Sequence, residues 1–299
     1  MKTIKQRISY AVMGLMAMGF TACTQNEDMA PTLKGQEINA TFSVGGMQTR
    51  VNTLGHGNNW EDKDKLKVSI FTEYDSGSTT VLSFNSTTNE WSRTGSFRWL
   101  NEYEQHTILA VYPSDMDSWI NNLQYDLQTD QSSEGNLKNA DLITGYWHDV
   151  PRFDLISIPM KHRMSLVTIV YHVGTADDPN LDIREPHVYS KHTSVDFSRD
   201  DRGQFVMSTP TANPAWVKAY KHDDGMFSAI VIPGSYIKDE VFLKFMIGDN
   251  IFNAKMKMPT DFEEGKRYTY KLDVGKDKVK LTQISVDDMT GWTNEEDLK

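Results

Sequence analysis

The stretch His162-Arg163-Met164-Ser165-Leu166-Val167-Thr168-Ile169-Val170-Tyr171-His172-Val173 decides the fold class. Read at a period of two, one face presents Met164, Leu166, Thr168 and Val170, and the other Ser165, Val167, Ile169, Tyr171 and Val173. Both faces are apolar enough to be covered, which predicts a central strand with packing on either side. Another β-rich run, Leu155 to Pro159, lies just before it.

Working outward in both directions, the same period recurs. Ile38, Ala40, Phe42 and Val44 alternate with Glu37, Asn39, Thr41 and Ser43. Leu66, Val68 and Ile70 alternate with Lys65, Lys67 and Ser69, and Tyr268, Tyr270 and Leu272 with Arg267, Thr269 and Lys271. Such alternation buries one face of a strand and wets the other. Further β-rich runs cover Thr107 to Tyr112, Phe227 to Ile232, Val241 to Ile247 and Ile251 to Met256, with Gly248-Asp249-Asn250 placed for a tight hairpin. Helical spacing is rare. Met116, Trp119, Ile120 and Leu123 recur at three and four residues after Pro113 and Ser114, predicting one short helix or ordered loop within Ser114 to Gln128. The expected architecture is all-β, mostly antiparallel, in sandwiches with little helix. A boundary near Pro159 gives an N-terminal sandwich over 37–159 and a C-terminal one over 160–299.

The first residues are of another kind. Lys2, Lys5 and Arg7 precede thirteen apolar residues, Ile8 to Phe20, too few to span a bilayer as a helix, and small Thr21 and Ala22 lead to Cys23. This is an export signal over 1–22. Phe20-Thr21-Ala22-Cys23 resembles a bacterial lipobox, which implies a lipid on Cys23, the one cysteine of the 299-residue chain. The following Thr24-Gln25-Asn26-Glu27-Asp28 resembles the acidic signal that sends Bacteroides-type lipoproteins to the outer surface of the outer membrane, and residues 23–36, with Pro31 and Gly35, read as a flexible tether.

The formal net charge is −10, and removal of the signal with its three basic residues takes it to −13. A phosphate-binding protein needs clustered Lys and Arg, so nucleic acid is not an expected partner. No Gly-x-Ser-x-Gly, His-Glu-x-x-His, Gly-x-x-x-x-Gly-Lys-Ser/Thr or Gly-x-Gly-x-x-Gly spacing occurs, and neither an enzyme nor a cofactor is expected. The adjacent carboxylates Glu263 and Glu264, or Asp287 and Asp288, point to opposite faces if on strands and read as solvated turns. His187 and His192 lack a third spaced metal ligand. Asp177, Asp178 and Asp182 gather oxygen ligands suited to calcium without the order of a calcium loop, and read as an acidic turn. His162 and His172 share a parity and read as the ends of a buried strand.

Several motifs, in order, resemble the fimbrillin family of the Bacteroides group. They are Ala40 to Val51 with Gln48-Thr49-Arg50, Trp60-Glu61-Asp62, Ala110-Val111-Tyr112-Pro113, Asp141-Leu142-Ile143 and His162-Arg163-Met164-Ser165. Ala229 to Pro233, Gly265-Lys266-Arg267-Tyr268-Thr269-Tyr270 and Trp292 continue the likeness. The resemblance implies two Greek-key, transthyretin-like β-sandwich domains in tandem, in a component of type V pili. It also implies a protease cut after an arginine, here Arg50, that removes the first strand, Ile38 to Val44. A strand from another pilus subunit then fills the groove. After Trp292, Thr293 to Lys299 carry several charges and no alternating apolar set, a poor donor strand. Val279, Leu281 and Ile284 suit either a donor or the last strand of the second sandwich. A tip, accessory or anchoring role is therefore expected rather than a stalk subunit, with partners in other subunits, the outer membrane through Cys23, and a host or bacterial surface ligand. The rival reading is a surface glycan-binding lipoprotein of a polysaccharide-uptake system, based on Trp91, Phe97, Trp99, Trp119 and Trp147 as stacking platforms. Alternation such as Phe97 and Trp99 favours sandwich core instead.

Overall fold

The computed structural model describes residues 32–44, 60–92, 95–116, 122–173, 182–210, 213–222, 225–275 and 279–289. The first strands are β1 (Ala40–Val44), β2 (Lys65–Phe71), β3 (Ser78–Asn85), β4 (Glu90–Trp91), β5 (His106–Tyr112) and β6 (Asn122–Asp126). Helix α1 (Glu134–Asn139) precedes β7 (Ile143–Asp149), β8 (Ile156–His162), β9 (Ser165–Val173), β10 (Ile183–Ser190), β11 (Ser194–Arg199), β12 (Phe205–Met207) and β13 (Ala215–Lys218). The rest are β14 (Tyr220–Lys221), β15 (Met226–Val231), β16 (Gly234–Tyr236), β17 (Val241–Ile247), β18 (Asn250–Lys255), β19 (Thr260–Phe262), β20 (Lys266–Val274) and β21 (Val279–Asp288).

The seven-stranded sheet runs β1-β8-β7-β5-β2-β3-β4. Its central strand, β5, is buried at every residue, with the apolar run Ile108 to Tyr112 covered on both faces. The sheet rolls round its own core. Phe42 of β1 meets the ring of Trp91 in β4 edge-on at 5.4 Å, so the strands at the two edges face each other. The fold is all-β, as the alternation predicts.

The second core lies between a four-stranded sheet, β13-β10-β17-β18, and a five-stranded sheet, β14-β15-β9-β20-β21. Strand β9 is the centre of the five, buried from Ser165 to Ile169 because both of its faces carry apolar side chains. It pairs antiparallel with β15 and parallel with β20. Phe242 reaches Tyr270 across the sandwich at 5.6 Å. In the β17–β18 hairpin Ile247 pairs with Asn250, leaving the two-residue turn Gly248-Asp249, and Gly248 takes φ +56°, where a glycine is favoured.

Two expectations differ from the structure. Within Ser114 to Gln128, residues 117–121 lie outside the described residues and Asn122–Asp126 is strand β6, with Leu123 and Tyr125 buried and Asn122, Gln124 and Asp126 exposed. At its Leu123 end the three-and-four spacing gives way to strand, because Leu123 and Tyr125 alternate and β11 supplies the pairing edge. The helix is α1, further on, capped by Ser133, whose hydroxyl accepts from the Asn136 amide at 3.2 Å. The boundary expected at Pro159 also meets a crossing. Leu123, Tyr125, Leu127, Leu137, Ala140 and Leu142 all pack in the second core, because β6 pairs with β11 and Gln131 bonds both the amide and the carbonyl of Ile230.

His106 opens β5 and is fully buried. Its Nδ1 lies 2.9 Å from the Glu104 carbonyl, and its Nε2 lies 3.1 Å from the Leu100 amide nitrogen. An amide only donates, so Nε2 accepts and Nδ1 carries the proton. Burial holds this imidazole below the ordinary histidine range, and the Glu104 carbonyl and the Glu104 and Asp75 carboxylates only partly oppose it. The unfolded chain therefore takes up this proton first. Stability is complete above the unfolded value, about 6.5, and is lost as pH falls from there through the lower folded value. Urea midpoints should decline below about pH 6.5, and His106→Gln, which does not titrate, should decline less. Equal slopes for both proteins would refute the assignment.

Candidate assembly site

Strand β1 sits at the seam of the rolled sheet. It pairs with β8 in parallel register, Ala40 opposite Ile156 through Val44 opposite Met160, and no described strand pairs with its other edge. Alternation turns Phe42 inward, where it is fully buried, and Ile38, just before the strand, is buried as well. Trp60 stands edge-on to Trp91 at 5.3 Å and donates its indole N–H to the Phe42 carbonyl at 2.8 Å. Phe84 packs on Trp91 at 5.2 Å. The strand is thus a wedge. Its backbone completes one edge of the sheet, and its side chains close an aromatic pocket that would otherwise open to water. Taking β1 away would uncover Trp60, Trp91, Ile156 and Ile158 and leave β8 with an unpaired edge, the geometry that accepts an added strand of matching period.

A model of the fimbrillin-like family matches residues 49–290. The chain belongs to that family. The fold of this fimbrillin-like chain is also found in solved structures. One, a Bacteroides ovatus protein assigned to cell adhesion, is 16% identical with a TM-score of 0.63, and the match covers 87% of this chain and 99% of that one. Another, a Bacteroides uniformis protein with the same assignment, is 16% identical with a TM-score of 0.56 over 77% and 93% of the two chains. No curated protein sequence matches this one.

Other residues singled out from the sequence fall as follows in the fimbrillin-like chain. Cys23, Arg50, Asp177, Asp178, Trp119 and Trp292 lie outside the described residues. Asp182 accepts from the Tyr171 hydroxyl at 2.8 Å and pairs with Lys221. Burial alone would raise its carboxyl, but these two bonds outweigh it and hold the group below the usual range. Among the described residues no cluster of three or more His, Cys, Asp or Glu is placed to hold a metal. His187 is bonded to the Glu185 carbonyl at 2.8 Å, and His192 lies beyond the end of β10. His172 is exposed, whereas His162 is buried 2.7 Å from Asp141. Trp91, Phe97 and Trp99 are core residues, and half-buried Trp147 carries Arg152 over its ring at 5.5 Å. These aromatics are not open stacking platforms for sugars. Strand β21 pairs with β20 from Lys266 opposite Asp288 to Val274 opposite Val279, so Val279 and Leu281 belong to the last strand of the second sandwich. The role of Trp60 and Trp91 in closing the seam was not visible in the sequence, because their contact with Phe42 depends on how the sheet rolls.

Proposed function

We propose that this fimbrillin-like chain is a surface lipoprotein, acylated at Cys23, that serves a type V pilus as a tip, accessory or anchoring component. Residues 23–36 tether two sandwich bodies, 37–159 and 160–299, with the β6–α1 excursion of the first packed into the second. Cutting after Arg50 releases β1, and a strand from another subunit takes its place between β8 and β4. The observation that carries this reading is the seam: one short edge strand, paired among the described residues with β8 and no other strand, plugs an aromatic pocket with Phe42. Pairing of β21 along β20 supports a subunit that keeps its own last strand.

The test is mass spectrometry of the mature N-terminus and of purified protein after an arginine-specific protease. The expected products begin at acylated Cys23 before cutting and at Val51 after it, and the cut protein binds a pilus subunit's donor strand that the uncut protein refuses. A cut protein that retains β1 and refuses every donor strand would overturn the exchange. Cut protein that grows into long homopolymers would overturn the tip, accessory or anchor role.

A further inference from the structure

The registers of the seven-stranded sheet bring three connections to one end. Phe71, closing β2, pairs with Thr107, and His106, opening β5, pairs with Asp149, closing β7. Residues 72–77, 100–105 and 150–155 therefore emerge side by side. The His148 ring near the end of β7 bonds the Gln105 side chain at 3.0 Å, and Asp149, which pairs with His106, also holds Arg152 of the third connection. They carry Tyr74, 80% exposed, Tyr103, 78%, Phe153, 61%, and Leu155, 58%. Single exposed apolar residues are ordinary, but four on three adjacent connections make a patch of the kind that marks an interaction surface. Tyrosine is also a residue that carries binding energy at such surfaces.

Charge identifies the partner. The three connections hold Glu73, Asp75, Glu102, Glu104 and Asp154 against one basic residue, Arg152. Arg152 itself shows what the surface accommodates, since its guanidinium pairs with Asp149 and lies over the Trp147 ring. A cation between an aromatic face and a carboxylate is a favourable arrangement. We propose that this end of the sheet docks a basic protein segment in which Lys or Arg alternates with apolar residues. The cations meet the carboxylates and the rings of Tyr74 and Tyr103, and the apolar residues cover Phe153 and Leu155. Anionic membranes and nucleic acids are repelled by the same carboxylates. None of the residues named for this surface belongs to β1, which begins beside Leu155, where the Asn39 carbonyl accepts from the Ile156 amide.

The test uses the full-length protein and, as probe, a short immobilised peptide alternating lysine and arginine with leucine. Binding is expected, weakening as salt rises. It should fall about tenfold or more in Tyr74→Ser/Tyr103→Ser/Phe153→Ser and in Glu73→Gln/Glu102→Gln/Asp154→Asn. It should be unchanged in Asp249→Asn/Asp261→Asn/Asp287→Asn, which removes equal charge elsewhere. If the aromatic variant does not fold, the amide variant decides. Equal loss in the control variant, absence of peptide binding, or binding of neutral oligosaccharides that needs the rings and ignores the carboxylates would each overturn the proposal.

Discussion

Replacing Phe42 by alanine should destabilise the protein by about 3–5 kcal/mol, the usual cost of emptying a buried phenylalanine site. The side chain is fully buried, and Trp91 meets it edge-on at 5.4 Å. The Trp60 bond goes to the Phe42 backbone carbonyl and survives the change, so the loss belongs to the ring. Little of the cavity can collapse, because β1 is fixed to β8 along its whole length. A loss of this size is a large fraction of a typical domain's 5–15 kcal/mol. Ser43→Ala, one residue on and half-buried, should stay within about 0.5 kcal/mol. Urea denaturation followed by tryptophan fluorescence measures both. A Phe42→Ala loss below about 1 kcal/mol would mean that the seam does not depend on β1, and exchange of this strand would then lack its driving force.

The same strand marks how far the sequence can be read. Alternation at Ile38 to Val44 and at Leu66 to Ile70 announced strands because period two is a local property, set by which side of the pleat each residue occupies. The Gly248-Asp249 turn was legible for the same reason. Order among strands was not. Whether Phe42 meets Trp91 depends on the twist accumulated across seven strands, and no window of neighbouring residues carries that quantity. Likewise β6 finds its partner in β11, far along the chain, so its residues looked like part of the first sandwich while their side chains fill the second. Helix α1 escaped notice because it buries only Leu137, too little for an apolar period to register, although Ser133 and the Glu134–Lys138 pair mark it once the position is known. Of the candidate site, the plugging strand was legible and its pocket was not. Asp182 had been grouped with Asp177 and Asp178 on spacing alone, whereas its partners, Tyr171 and Lys221, come from neighbouring strands.

The passage between the two cores carries the other large effect. Met160 packs in the first core and Met164 in the second, and between them His162 is buried with its Nδ1 2.7 Å from Asp141 Oδ2. Arg163 secures the same crossing by bonds to Thr144 at 2.7 Å and Glu264 at 3.0 Å. The Asp141 carboxyl is fully buried, and among the described residues neither its Oδ1 nor His162 Nε2 has a hydrogen-bond partner. The His162–Asp141 contact is thus, among the described residues, the side-chain hydrogen bond that compensates burial of both groups. His162→Ala should remove that compensation and cost about 3–5 kcal/mol, the range found when one partner of a buried pair is deleted. Replacing both, as Asp141→Leu/His162→Leu, removes two desolvated polar groups together and should cost clearly less than the single change, since apolar replacements of buried pairs are often neutral. Urea denaturation of Asp141→Leu, His162→Leu and the double variant forms a double-mutant cycle. A double variant that loses the sum of the singles would show that the pair is not coupled, and that the crossing is held by Arg163 and the packing of the two methionines instead.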